Sequence, residues 1–140
     1  DRSTLYALRG VFAAGDIQRG LQYLKHYSKR RLLGDHVPYP VEAFPEGNQR
    51  HLSAESGLYC RIFTEGIFGI RAISLDSFTL TPQMPEEWND MSLKNIYGFQ
   101  TTFDIYLTRE SGKIRLALIS KGKQIMNKFI ENGSTIKITL

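Results

Sequence analysis

The sequence predicts an α+β fold, with helices in the first half of the chain and antiparallel strands in the second. Apolar residues recur at helical spacing as far as about residue 70. Beyond that point they alternate with polar residues, and glycine-containing turns separate the runs. We therefore expect two domains: a helical segment over residues 1–70 and an antiparallel β-sandwich-like domain over residues 71–140.

The first two helices are predicted by apolar stripes with capping residues at their ends. Ser3 is placed to cap the first helix, and Gly15 to end it. Asp16 can cap the second helix, whose basic turn at Lys29–Arg31 precedes Gly34. A cationic last turn complements the helix dipole, so this basic cluster favours a helix end over a nucleic-acid patch. The stripes are Leu5, Leu8, Val11 and Phe12, then Ile17, Leu21, Leu24 and Tyr27.

A third helix is predicted after a proline-rich loop. The loop, Asp35 to Arg50, has no usable periodicity. Ser53 is placed to cap the helix, and Gly66 and Gly69 mark its end. We expect this helix to be largely buried, with Cys60 as an inert buried thiol, and any apolar surface left uncovered could drive self-association. Its inward-facing residues are expected to be Leu58, Ile62, Phe63 and Ile67.

Alternating residues and turn chemistry predict a meander of antiparallel strands in the second half. Hairpin turns are expected at Glu110–Gly112, Ser120–Gly122 and Glu131–Gly133. Two late strands are expected around residues 125–130 and 136–140. The inward-facing residues of the earlier strands are Phe78 and Leu80, then Phe103, Ile105 and Leu107, then Ile114, Leu116 and Leu118.

Composition excludes several function classes. The chain has 140 residues, 41% of them hydrophobic and 23% charged, with a net charge of +4 that is spread along the sequence, so we expect no nucleic-acid partner. No apolar run approaches the roughly 20 residues of a membrane span. A single cysteine forms no internal disulfide and no zinc or redox pair, and we predict no metal and no cofactor. Because the chain starts at Asp1 and enters a helix almost at once, we expect a fragment of a longer protein.

The junction between the two halves resembles the end of the six-hairpin glycosidases. The resemblance lies in S-A-E-S-G-L-Y-C-R-I-F-T-E-G-I-F-G-I-R and in F-T-L-T-P-Q-M-P-E-E-W, which follows it. In that superfamily, which includes α-rhamnosidases and cellobiose phosphorylases, a toroid of paired helices ends at a G-I-R-type turn and a β-sandwich follows. The resemblance implies that the helices are the end of an α/α toroid. It also implies a carbohydrate substrate, a secreted or periplasmic location, and the rest of the parent polypeptide as a partner.

The resemblance further implies that the loop before the third helix supplies a general base. Glu42 is similar in placement, and Glu46 is the second choice. Glycoside hydrolysis uses two carboxyl groups, about 6.5–9.5 Å apart in inverting enzymes, so one loop supplies at most half of the site and the isolated chain should be inactive. Both glutamates could instead be solvated, or be partners of Arg50. Side chains suited to stacking on sugar or bonding its hydroxyls are Tyr39, Phe44, Gln49, Arg50 and His51.

Two other function classes fit the same sequence. The chain could be a non-catalytic carbohydrate-binding or accessory module, in which the loop aromatic residues hold glycan without hydrolysis. It could also be a structural interaction domain whose apolar helix face docks another protein. Two single residues also have alternative roles. His51 could cap or pack at the start of a helix, or it could bond a sugar hydroxyl. Trp88 could fill the edge of a core, or it could stack on a sugar ring.

Overall fold

The computed structural model describes residues 2–41 and 53–140, and these form helices followed by antiparallel strands, which confirms the predicted α+β class. The chain divides into two units, Asp1–Ile67 and Phe68–Leu140. Among the described residues, no helix is long and apolar enough to span a membrane.

The first unit is helical. Phe12 is fully buried at its centre, packed against glycines of two other elements. A Cβ atom on Gly20 would lie 2.9 Å from the Phe12 ring, and one on Gly66 would lie 3.3 Å from Phe12. Both glycines therefore allow a close approach that a larger residue would prevent. The elements are α1 (Arg2–Ala13), α2 (Ile17–Arg31), a 3₁₀ turn (Gly34–His36), and α3 (Ser53–Arg61), which continues as a π-helical segment (Ile62–Ile67).

The start of α2 and its basic last turn agree with the sequence, whereas the predicted caps at its end and at the start of α1 are wrong. An Asp16 carboxylate oxygen accepts a hydrogen bond from the Arg19 backbone N–H at 3.3 Å. At the other end the cap is Leu32, and Gly34, with a φ of +52°, begins the 3₁₀ turn that follows. The helix α1 already includes Arg2, so Ser3 lies within its first turn rather than before it.

Cys60 is exposed, which corrects the prediction of a buried thiol. Consecutive helical residues are separated by about 100° around the axis. Tyr59 faces the core of the unit, so Cys60 is turned out of it and shares the exposed face of Gly57. Leu58 and Phe63 are half-buried, while Ile62 and Ile67 are buried as expected.

The second unit contains two antiparallel sheets, with strand orders β1-β2-β7 and β3-β4-β5-β6. All the residues predicted to face inward on β2, β4 and β5 are buried. Phe78 of the first sheet stacks on Phe103 of the second, with ring centroids 5.4 Å apart. The strands are β1 (Arg71–Ala72), β2 (Ser77–Leu80), β3 (Asp90–Gly98), β4 (Thr101–Glu110), β5 (Lys113–Ser120), β6 (Lys123–Ile130) and β7 (Ile136–Thr139).

Two strand predictions need correction. The turn at Glu131–Gly133 does not form a hairpin, because β7 pairs with β2 instead of β6. The strand β3 was not predicted, because its alternation is interrupted. Its pairing register shifts between Leu93 and Ile96, and Asn95 has a φ of 56°. An inserted residue of this kind moves the following side chains to the opposite face, so the two-residue period is lost.

The P-Q-M-P-E-E-W segment after β2 is held by side chains of other elements. The Arg109 guanidinium donates to the backbone oxygens of Pro85 at 3.0 Å and of Trp88 at 3.3 Å. Asn132 accepts from the Met84 N–H at 2.8 Å and donates to the Met84 oxygen at 2.9 Å. Proline has no backbone N–H to donate to the hydrogen-bond ladder of a sheet. In this segment, side chains of Arg109 and Asn132 therefore supply some of the hydrogen bonds that neighbouring strands would otherwise make. Trp88 itself is half-buried.

Candidate functional site

Tyr39 is the predicted site residue that falls within the described part of the chain. Both predicted catalytic residues, Glu42 and Glu46, lie outside it, so their roles stay predictions. The predicted sugar-binding residues that also lie outside it are Phe44, Gln49, Arg50 and His51.

Tyr39 is positioned by the turn that follows α2. Its backbone N–H donates to the His36 oxygen at 2.7 Å, and the Val41 N–H donates to the Arg31 oxygen at 2.9 Å. These bonds keep the segment against the end of α2, and the Tyr39 side chain is 47% exposed. It borders a groove of about 520 Å³. The other lining residues are Pro38, Ser56, Gly57, Tyr59, Cys60 and Phe63.

The floor of this groove is aromatic and fixed in orientation. Tyr59 packs edge-on against Phe63, with ring centroids 5.3 Å apart, and stacks with Tyr27 at 5.9 Å. The Tyr59 hydroxyl lies 2.7 Å from Ser28 Oγ, which donates its own hydrogen to the Leu24 oxygen. The Tyr59 hydroxyl must therefore be the donor of that pair. Burial raises the pKa of Tyr59, so the phenol stays protonated at neutral pH.

Two polar side chains at the start of α3 are buried with unsatisfied oxygens. Glu55 is 5% exposed, and one of its carboxylate oxygens accepts from Arg2 at 3.0 Å. Within the described residues, the second Glu55 oxygen and Ser56 Oγ have no hydrogen-bond partner. Buried polar atoms are almost always satisfied in native proteins. These two atoms are therefore exceptions among the described buried polar groups.

Sequence reasoning passed over Glu55 as a site residue, although a signal was available. It lies three, four and seven positions before Leu58, Tyr59 and Ile62, on the same face of the helix. A carboxylate on an apolar stripe is unusual and is expected to have a specific partner. That partner is Arg2, which ties α3 to α1.

The groove presents mainly aromatic surface. Aromatic faces such as these can pack on the C–H surface of a sugar ring. No carboxylate is among the described residues that line it. In the described ranges, no group of three or more histidine, cysteine or acidic side chains is arranged to hold a metal ion.

Comparisons of the chain with protein-family models, with curated proteins and with solved structures gave no match.

Proposed function

We propose that this chain is the C-terminal part of a six-hairpin glycoside hydrolase acting on a plant or microbial polysaccharide or oligosaccharide, and that it is inactive alone. The main support is the segment in which α3 and its π-helical continuation lead through Gly69, Ile70 and Arg71 into antiparallel strands. This order of elements, carried by the residues that resemble the superfamily, is the one expected where a toroid of helices ends and a sandwich begins.

Features of each unit are consistent with this proposal. In the second unit, Phe78 of one sheet stacks with Phe103 of the other, as inner faces of a sandwich do, and also with Phe99 of the β3–β4 turn. In the first unit, α1 and α2 border a largely apolar groove of about 490 Å³ that includes Val11 and the 52%-exposed Tyr23. In a toroid of paired helices, such a face would pack against a neighbouring helix.

In the proposed enzyme, the segment beginning at Tyr39 contributes to the sugar site. Tyr39, Tyr59 and Phe63 provide aromatic surface, and Glu42 acts as the general base, with Glu46 as the second choice. The remaining carboxyl group, the general acid, comes from the rest of the parent polypeptide. The isolated chain therefore binds sugar without cleaving it.

The test is to replace Glu42 and Glu46 separately by glutamine in the parent enzyme. Loss of a general base typically lowers turnover by about 10²- to 10⁴-fold, so we expect one variant to fall by that factor with its circular dichroism spectrum unchanged. Glu131→Gln is the matched control, because that glutamate is exposed and pairs only weakly, at 3.5 Å, with Lys113. Full activity in both test variants would contradict the assignment.

A non-catalytic carbohydrate-binding module is the second candidate, favoured by the aromatic groove that has no described carboxylate lining it. The same experiment separates the two functions when saccharide binding is measured beside turnover. Binding that is lost in Tyr39→Ala, in a parent that shows no turnover, indicates a module. A parent with neither turnover nor saccharide binding indicates the third alternative, an interaction domain.

A further inference from the structure

We draw no further inference here: the strongest candidate, the largely apolar groove that Ala7, Val11 and Tyr23 border between α1 and α2, carries none, because nothing in the described part of the chain shows what covers it.

Discussion

Gly69 is a residue whose identity is dictated by its surroundings. It has a φ of +64°, which disfavours any side chain, and its backbone oxygen accepts from the Thr81 N–H at 3.2 Å. A Cβ atom at this position would lie 2.3 Å from the Thr81 oxygen, a backbone atom that cannot swing away. The glycine of the G-I-R turn is thus required by close packing between the start of the second unit and the end of β2.

We predict that Gly69→Ala lowers the free energy of unfolding by about 3 kcal/mol or more, measured by urea denaturation. Strain from positive φ and the clash with Thr81 both contribute. Gly133→Ala is the control, because Gly133 also has a positive φ, +80°, yet a Cβ there meets nothing within 4 Å. It should cost only about 1–2 kcal/mol. Equal costs in the two variants would show that the contact with Thr81 contributes nothing.

At the scale of elements, the helical unit depends on how closely α1 approaches its neighbours. Phe12 of α1 is fully buried between Gly20 of α2 and Gly66 of the π-helical segment. A glycine inside a helix costs about 0.5–1 kcal/mol relative to alanine. Its presence in the middle of α2 is therefore explained by packing, since the Phe12 ring occupies the space that a side chain would need.

We predict opposite effects for two glycine-to-alanine changes in helices. In Gly20→Ala the gain in helix propensity is outweighed by overpacking against the Phe12 ring, which typically costs about 1–3 kcal/mol, so the variant should be less stable. In Gly10→Ala the new Cβ meets nothing within 4 Å, so the variant should be more stable by about 0.5–1 kcal/mol. Thermal or urea unfolding, followed by circular dichroism, measures whether each variant is more or less stable than the parent. Stabilisation of similar size in both would rule out a packing role for Gly20.

At the scale of the whole molecule, the sequence predicted local features well and long-range pairings poorly. Helices and the strands β4 and β5 follow from periodicity, which depends only on neighbouring residues. The partner of β7 could not be read from the Glu131–Gly133 turn, because a turn favours pairing with the preceding strand and says nothing of β2. Tyr39 was named from the sequence but the groove beside it was not, because the groove is also lined by residues of α3, which are distant from Tyr39 in the sequence.

The buried tyrosines link the stability of the molecule to pH. Burial is the main cause of a raised pKa for both Tyr27 and Tyr59; for Tyr27 the nearby charge of Arg31 opposes the shift and that of Glu55 adds to it. In the unfolded chain both phenols titrate near their ordinary pKa of about 10. Because the folded state holds these protons more tightly, the stability they contribute is complete below about pH 10 and is lost as pH rises through the folded pKa values.

We predict that the free energy of unfolding is lower at pH 11 than at pH 8, because it falls above about pH 10 by up to about 1.4 kcal/mol per pH unit for each tyrosine. In the double variant Tyr27→Phe, Tyr59→Phe, the share of the decrease that these two phenols cause should vanish. Loss of the Tyr59 hydrogen bond to Ser28 changes the stability of the variant at both pH values and does not affect this comparison. Tyr97→Phe is the control, because Tyr97 is 83% exposed, and it should retain the full decrease. Urea unfolding at the two pH values measures the difference. An equal decrease in the double variant and in the control would mean that other groups cause the alkaline loss, and that burial of these two phenols does not couple folding to proton release.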